Sequence, residues 1–234
     1  MTTSPKIADR ETWLQARRAL LVEEKAVTRQ LDELARRRRA LPWVRIDKTY
    51  SFDSTEGPRT LEELFADRIQ LVIYHFMMGP DWAEGCPSCS FWADNFNGID
   101  VHLANRDTTF LAISRAPLDA IEAYRRRMGW DFKWISSLGT DFNMDFGVSF
   151  PEGYRVNAHY NFTPIDNPME EAQGLSVFTR GPEGEVFHTY SSYGRGVDIF
   201  NGAYQLLDLT PKGRDEVDGI MAWLRRHDTY TPSE

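Results

Sequence analysis

Both cysteines of the chain stand close together, at Cys86 and Cys89, shortly after the apolar run 71–76. A short apolar run bounded by turn residues is typical of a buried β-strand. Pro87 suits the first position of a helix, because its ring fixes φ near the helical value and its missing N–H would have no partner there. The sequence therefore predicts a strand that leads, through a loop, to a helix beginning beside Cys86.

The position of Cys86 at a helix start favours a reactive thiol. Unpaired backbone N–H groups give the first turn of a helix partial positive charge, which stabilises a thiolate relative to a thiol. Cys89 lies one turn further along and begins a helical face that continues through Trp92, Phe96 and Ile99. We therefore expect Cys86 to be the attacking thiolate. We expect Cys89 to be the resolving cysteine beneath it, on the side that packs on the sheet.

Neighbouring residues are candidates for supporting roles. Pro87 and Ser88 separate the two cysteines, and the aromatic residues Trp82 and Trp92 flank the pair and are candidates for substrate contact. Glu84 lies just before the first cysteine, where a negative neighbour would raise the pKa of the thiol. The candidate site therefore extends from the loop before the helix into its first two turns.

Composition excludes several classes of partner. The chain has 234 residues and a formal net charge of −8. Nucleic acids and anionic membranes attract basic surfaces, so neither is expected as the main partner. No run approaches the roughly eighteen apolar residues of a membrane span, and the start of the chain lacks an apolar signal core. These features predict a cytoplasmic protein, in which a CxxC pair indicates redox or metal chemistry rather than a structural disulfide.

Metal binding and haem attachment are the rival interpretations of the cysteine pair. Zinc takes a tetrahedral set of ligands, for which His75 and His102 are the nearest further candidates, with no second CxxC and no HxxxH. Haem attachment needs a histidine directly after the second cysteine, where this chain has Ser90. We therefore predict no metal and no cofactor. His75, inside the apolar strand, is expected to be a hydrogen-bonded core histidine.

The N-terminal segment, residues 1–42, is predicted to be a long amphipathic helix running from about residue 10 to residue 39. Four apolar side chains recur along it at intervals of seven residues: Trp13, Leu20, Val27 and Leu34. This spacing places them on one face of a helix. The arginine run 36–39 complements the negative end of the helix dipole. We expect the apolar face to pack on its own domain or on a second copy, which would give a homodimer.

The remaining sequence predicts an α/β domain over residues 43–228 and a tail at 229–234. Apolar and polar side chains alternate over residues 44–52, which indicates a short hairpin. Thr60 and Glu63 have the spacing of a capping box that opens a short helix.

Further along, residues 109–114 resemble a second buried strand, and residues 117–128 a helix. Residues 141–173 are treated as an insertion that precedes a closing hairpin at 175–190. A last helix is expected over 210–224. Strands that alternate with helices and end in a hairpin predict a three-layer α/β/α sandwich with a mixed central sheet.

This order of elements, with Cys-Pro-Ser-Cys at the strand-to-helix junction, resembles the thioredoxin fold. Residues 52–89 resemble the thiol-peroxidase and thioredoxin-like lineage, in which a hairpin, a capped turn and an apolar strand precede the redox centre. Over most of residues 10–228 the chain resembles a bacterial family of thioredoxin-like proteins of unassigned function. Three stretches carry that resemblance: residues 74–77, 86–89 and 204–208.

The resemblance implies dithiol–disulfide exchange, with Cys86 as nucleophile and Cys89 as resolving cysteine. The partners would be a protein or small-molecule disulfide and a separate reductant. Thioredoxins usually place a cis-proline before the strand that faces the cysteines, where this chain has Gln173. Peroxiredoxins place a hydroxyl residue three positions before the attacking cysteine, where this chain has Ala83, which weakens the peroxidase interpretation. The alternatives are a thiol redox sensor or binding protein without turnover, and a thiol peroxidase.

Overall fold

A computed structural model describes residues 6–231 of the chain. The chain divides into two compact units, Met1–Pro42 and Trp43–Glu234. The last part of the predicted tail, residues 232–234, lies outside the described residues. No helix within 6–231 combines the length and the apolar character needed to cross a membrane.

The secondary structure alternates between helices and short strands. The α-helices of the described residues are α1 (Arg10–Arg39), α2 (Pro87–Ala93), α3 (Asp100–Ala104), α4 (Leu118–Arg127), α5 (Phe142–Asp145) and α6 (Gly202–Leu207). The strands are β1 (Val44–Arg45), β2 (Ser51–Phe52), β3 (Arg59–Thr60), β4 (Gln70–His75), β5 (Thr108–Ser114), β6 (Trp134–Ser136), β7 (His159–Tyr160), β8 (Thr163–Pro164), β9 (Gly174–Arg180) and β10 (Val186–Tyr193). Single-turn or short 3-10 helices lie at Glu63–Phe65, Glu152–Tyr154, Gly194–Phe200 and His227–Thr229.

The first unit contains α1, which covers the residues that the seven-residue spacing predicts. The carboxylate of Asp9 caps the start of the helix by accepting a hydrogen bond of 2.8 Å from the N–H of Thr12. The arginine run 36–39 occupies the last turn, where its charge stabilises the helix dipole. None of the side chains of α1 is buried.

The second unit is built on a six-stranded mixed sheet in the order β1-β10-β9-β4-β5-β6. Strands β4, β5 and β6 are parallel to one another, whereas β9 is antiparallel to β4 and β10 is antiparallel to β9. The sheet thus combines a parallel strand–helix–strand unit with an antiparallel hairpin beside its first strand, β4. The prediction of a thioredoxin-like mixed sheet is confirmed.

Both faces of the sheet are covered, because successive side chains of a strand point to opposite sides. On one face Tyr74 joins an apolar cluster that contains Trp92 of α2 and Ile121 of α4. On the other face Ile73 joins a second cluster that contains Phe142 of α5. The sheet therefore lies between two layers, as the predicted α/β/α sandwich requires.

The start of α2 agrees with the prediction from sequence. Cys86 is the N-cap of α2 and Pro87 is its first residue, and Cys89 and Trp92 are fully buried on the sheet side. The helix ends at Ala93, earlier than the apolar spacing indicates. Gly98 then adopts a φ of +78°, a left-handed conformation that favours glycine, and the chain turns before α3 begins.

The predicted hairpin over residues 44–52 is wrong. Val44 pairs with His188 of β10, whereas Phe52 pairs with Arg59 of β3. Alternating polarity shows that one face of an extended segment is buried, but it does not identify the partner strand. The predicted helix over 210–224 is also wrong, since no α-helix follows α6 within the described chain.

Two features explain why residues 210–224 do not form a helix. Gly213 and Gly219 interrupt the segment, and each glycine costs a helix interior about 1 kcal/mol relative to alanine. Asp215 and Met221 both adopt positive φ angles, of 50° and 60°, which end any helical run. Val217 and Ile220, which a helix over this segment would place on one face, are 88% and 75% exposed.

The predicted insertion, residues 141–173, contains α5 and the small hairpin of β7 and β8. A buried ion pair between Arg115 and Glu171 anchors the end of the insertion. The carboxylate of Glu171, which is 1% exposed, accepts a hydrogen bond of 2.9 Å from Arg115. It also accepts a hydrogen bond from the Ser149 hydroxyl. Burial raises the pKa of Glu171 to about 7, against the lowering effect of these two partners. The insertion is therefore anchored just before Gln173, the residue that precedes β9.

Candidate active site

The backbone of Met77, directly after β4, holds both cysteines. The N–H of Cys86 donates a hydrogen bond of 3.0 Å to the Met77 carbonyl oxygen. The N–H of Met77 donates to the Cys89 sulfur at a distance of 3.4 Å. The loop 78–85 is therefore closed at its base. The two sulfurs are placed at the carboxyl end of a central parallel strand, which is the usual position for ligand and active sites in α/β sheets.

Cys86 has the properties of a nucleophilic thiol. Its side chain is only partly buried. The thiol of Cys89 and the backbone N–H groups of Cys89 and Ser88 stabilise the negative sulfur, and together they lower the pKa of Cys86 to about 6 against the opposing effect of burial. The hydroxyl of Ser88 contributes in the same direction. Cys86 is therefore mainly a thiolate at neutral pH.

Cys89 has the opposite properties. It is fully buried, and burial is the largest cause that raises its pKa well above the ordinary value of a thiol. The hydrogen bond to Cys86 and the negative charge of that sulfur raise it further. The hydroxyl of Tyr74 lowers it by hydrogen bonding to the sulfur. The two cysteines thus differ in exposure and in acidity, although they lie one helical turn apart.

Gln173, the residue just before β9, reaches the buried thiol from the strand that pairs with β4. Its side-chain oxygen lies 3.9 Å from the Cys89 sulfur and accepts a hydrogen bond of 3.3 Å from the Tyr74 hydroxyl. Its own carbonyl oxygen accepts a hydrogen bond of 2.8 Å from Tyr160, whose hydroxyl in turn accepts one from the N–H of Gly194. Gln173 therefore supplies a fixed polar group where a thioredoxin usually has its cis-proline.

Arg226, from the C-terminal part of the chain, fixes the residues just before Cys86. Its guanidinium donates hydrogen bonds to the Gly85 carbonyl oxygen at 2.7 Å and to the Tyr124 hydroxyl at 2.9 Å. It also forms an ion pair with Glu84 at 2.9 Å. Arg127 pairs with the same carboxylate. The prediction that Glu84 raises the pKa of Cys86 is therefore wrong, because two arginines neutralise it.

The supporting residues predicted from sequence lie in different environments. Pro87 is exposed, Ser88 is partly buried, and the half-buried ring of Trp82 covers Gly79 in the loop before α2. Trp92 is fully buried and donates a hydrogen bond of 2.8 Å to the Val197 carbonyl oxygen. The expectation that Trp92 contacts a substrate is wrong, since its ring belongs to the core.

The two histidines named as possible zinc ligands lie in environments that differ from that of the cysteine pair. His75 faces the cluster on the opposite side of the sheet, where it stacks on Phe142 and its Nε2 lies 2.9 Å from the Ser176 hydroxyl. Burial lowers the pKa of His75 to about 3, so it is a neutral core residue. His102 is exposed in α3, a helix without a buried residue. Residues 6–231 contain no group of three or more His, Cys, Asp or Glu side chains arranged to hold a metal.

Comparison with known proteins places the chain in a family. Residues 2–230 match the family described as bacterial protein of unknown function (DUF899). The chain belongs to the DUF899 family. This match confirms the resemblance to a bacterial family of unassigned function, and it spans both units of the DUF899 protein. No curated protein matches the sequence.

Solved structures similar to this DUF899 chain are redox proteins of low sequence identity. The peroxidoxin BcpB from Mycobacterium tuberculosis is 13% identical, with 71% of this chain and 97% of that chain covered and a TM-score of 0.48. Peroxiredoxin Q from Xanthomonas campestris is 14% identical, with coverage of 72% and 98% and a TM-score of 0.43. A putative thioredoxin from Neisseria meningitidis is 16% identical, with coverage of 72% and 91% and a TM-score of 0.40.

The difference in acidity between the two thiols predicts a distinct alkylation profile. We expect iodoacetamide to modify one thiol of the native protein, Cys86, at a rate that rises through a midpoint near pH 6, because only the thiolate reacts. Cys89→Ala removes the largest cause that lowers this pKa, so the midpoint should move upward. Mass spectrometry of the alkylated peptide identifies the site. A native midpoint near the ordinary value of a thiol, or equal labelling of both cysteines, would contradict the geometry.

Proposed function

We propose that this DUF899 protein is a dithiol–disulfide oxidoreductase in which Cys86 attacks the substrate and Cys89 resolves the intermediate. One observation carries the proposal: a partly exposed thiol of low pKa caps a helix directly above a fully buried thiol of high pKa. Exchange requires an accessible thiolate and a second thiol within reach of it. This pair has both features.

In the first step, the Cys86 thiolate attacks one sulfur of a substrate disulfide. The substrate S–S bond breaks as the new S–S bond to Cys86 forms, and the departing thiolate takes a proton from solvent. The Cys86 pKa of about 6 favours this step, since the nucleophile is ionised at neutral pH without the help of a separate base. The product is a mixed disulfide between the protein and half of the substrate.

In the second step, the buried thiol of Cys89 attacks the Cys86 sulfur, and its proton passes to the substrate thiolate that leaves. The mixed disulfide breaks, the second substrate thiol leaves, and Cys86 and Cys89 become joined. Two electrons have then passed from the protein to the substrate, and an external dithiol must reduce the pair again. The first step itself prepares the second, because the charge and hydrogen bond of Cys86 that raise the pKa of Cys89 disappear when Cys86 becomes a disulfide.

The substrate class that fits this chemistry is a protein or small-molecule disulfide in a reducing compartment such as the cytoplasm. A peroxide substrate is not favoured, because Ala83 stands where a hydroxyl residue would help to hold the peroxide. A redox sensor would use the same first step and differ only in turnover. The experiment below therefore measures both the intermediate and the turnover.

The proposal predicts that Cys89→Ser accumulates a covalent intermediate. Without the resolving thiol, the mixed disulfide at Cys86 cannot be released by the protein, so incubation with oxidised glutathione should add one glutathione to the chain. Intact-mass spectrometry before and after treatment with dithiothreitol measures the bound glutathione. Cys86→Ser is the matched control and should gain no glutathione, since the buried Cys89 cannot reach the reagent.

Two outcomes would count against the proposal. Glutathione on Cys89 in the Cys86→Ser control would reverse the assigned roles. Formation of the adduct in Cys89→Ser, combined with no turnover of any disulfide by the unsubstituted protein with dithiothreitol as reductant, would favour a sensor over an enzyme.

A further inference from the structure

The sulfur of Cys89 is fully buried in the apolar cluster that contains Phe76 and Trp92. Negative charge develops on this sulfur as it gives up its proton and attacks Cys86. Water cannot solvate the charge of a fully buried atom, and an ionised group without partners is strongly unfavourable in such surroundings. The resolving step therefore needs hydrogen-bond donors from the protein at the Cys89 sulfur.

Two donors of the protein reach this sulfur. The N–H of Met77 donates a hydrogen bond to it at 3.4 Å. The hydroxyl of Tyr74 also hydrogen bonds to the sulfur and favours its ionised form. Tyr74 belongs to β4, which pairs with a strand on each side, and Met77 follows shortly after its end. Donors held in this way before the charge appears stabilise a transition state at little cost of reorganisation.

The Tyr74 hydroxyl has a second acceptor for the stages at which the sulfur is neutral. The side-chain oxygen of Gln173 accepts its hydrogen bond at 3.3 Å, and the same oxygen lies 3.9 Å from the Cys89 sulfur. A hydroxyl hydrogen rotates to suit its partner, and a neutral sulfur is a weak acceptor. The hydroxyl therefore bonds to Gln173 while Cys89 is a thiol, and it can turn to the sulfur when charge develops there. It has a partner at each of these stages, as a buried polar group requires.

Tyr74 can act as a donor throughout the cycle, because it keeps its proton. Its side chain is fully buried. Burial is the largest cause that raises the pKa of Tyr74 well above the ordinary value of a tyrosine, and the charge of Cys89 raises it further. The hydroxyl is therefore neutral at every pH at which the thiol chemistry proceeds.

We propose that Tyr74 is a catalytic residue of the resolving step, in which its hydroxyl and the Met77 N–H together stabilise the charge on the Cys89 sulfur. The bond between Cys89 and Cys86 forms as the bond from Cys86 to the substrate sulfur breaks. The electron pair of the broken bond leaves with the substrate, and Tyr74 only donates a hydrogen bond. This inference rests on the proposed function, since it assigns a role within the second step of that function.

A single-turnover reaction of the reduced full chain with one equivalent of DTNB, an aromatic disulfide, separates the two steps. Each half of DTNB absorbs visible light when it leaves as a thiolate, so its release is followed directly. Attack by Cys86 releases the first half. Attack by Cys89 on the mixed disulfide releases the second half, and the Cys89 proton then passes to solvent. Stopped-flow absorbance therefore gives a first and a second phase.

Tyr74→Phe should slow the second phase and leave the first unchanged. The second phase should be at least about tenfold slower, because one donor to the developing charge is lost. Its pH profile should also move to higher pH, since the hydroxyl favours the ionised form of Cys89. The first phase should stay within about twofold of the original rate. Its midpoint should stay near pH 6, as the Cys86 pKa of about 6 requires.

Tyr204→Phe is the matched control. Tyr204 is fully buried in the same apolar cluster as Tyr74, but its hydroxyl bonds to Glu216 at 2.7 Å rather than to a sulfur. The control should leave both phases within about twofold of the original rates. Replacement of Tyr74 by fluorotyrosine is a second variant that keeps the ring and the hydroxyl. Fluorine makes the hydroxyl a stronger donor, so the second phase should be about twofold faster.

Several results would overturn the inference while the proposed function stands. They are a second phase in Tyr74→Phe within about twofold of the original, equal slowing of both phases, and equal slowing of the second phase in Tyr204→Phe. A second phase that fluorotyrosine leaves unchanged or slows would do the same. A different pattern would remove the proposed function and this inference with it: no second phase in the unsubstituted protein, or a second phase that persists in Cys89→Ser.

Discussion

Cys86→Ser is expected to lower the rate of disulfide exchange by at least about a thousandfold, because a serine hydroxyl remains protonated at neutral pH and cannot form a mixed disulfide. The initial rate of insulin disulfide reduction, with dithiothreitol as reductant, measures the effect. Cys89 cannot take over the attack, since it is fully buried and its pKa lies well above the ordinary value.

Ser88→Ala is the graded control for this prediction. It removes one of the minor groups that lower the pKa of Cys86 and leaves the sulfur in place, so activity should fall only modestly and the activity profile should shift to higher pH. If Cys86→Ser kept about a tenth or more of the original rate, the nucleophile would have to be another group and the proposed function would fail.

Gly85→Ala is expected to destabilise the second unit by about 1–3 kcal/mol and to disturb the position of Cys86. A Cβ atom at Gly85 would lie 2.6 Å from ring carbons of both Phe76 and Tyr124, which are buried and cannot move aside easily. The carbonyl oxygen of Gly85 also accepts the hydrogen bonds of Arg226. Relief of the clash must therefore shift the loop that ends at the nucleophile.

Chemical denaturation measures the loss of stability in Gly85→Ala. The alkylation midpoint of Cys86 measures the change in thiol reactivity. Gly153→Ala is the matched control, because a Cβ atom there meets nothing within 4 Å. It should leave both measurements unchanged. A Gly85→Ala protein of unaltered stability and unaltered thiol reactivity would show that the rings accommodate the extra carbon and that the close packing does not position the thiol.

The part of the site around the cysteine pair could be predicted from sequence, because the residues that indicate it lie close together in the chain. The apolar run before the loop, the proline at the first helical position and the spacing from Cys89 to Trp92 together predict a strand, a helix start and a buried thiol. The structure has all three features. The capping box is confirmed too: Thr60 and Glu63 bond to each other's backbone N–H groups, although only a single 3-10 turn follows.

The distant part of the site could not be predicted, because its residues meet only in the folded chain. Gln173 lies 84 residues after Cys89, and Arg226 lies 141 residues after Gly85, whose carbonyl oxygen it binds. Neither belongs to a motif with a fixed spacing. In the sequence, Tyr74 is only one of several apolar residues of a predicted strand. Its contact with Cys89 and Gln173 depends on which face of β4 packs against α2.

The edges of the central sheet limit how a polypeptide substrate can bind. One edge is β1, with two residues, and the other is β6, with three. The backbone of Asp53 also pairs with Ser136 along the β6 edge. Each edge strand thus offers only two or three residues to a foreign strand, and Asp53 already pairs beside β6, so strand addition along these edge strands would be short. We expect a protein that presents its disulfide to Cys86 to be recognised mainly through side chains and loops.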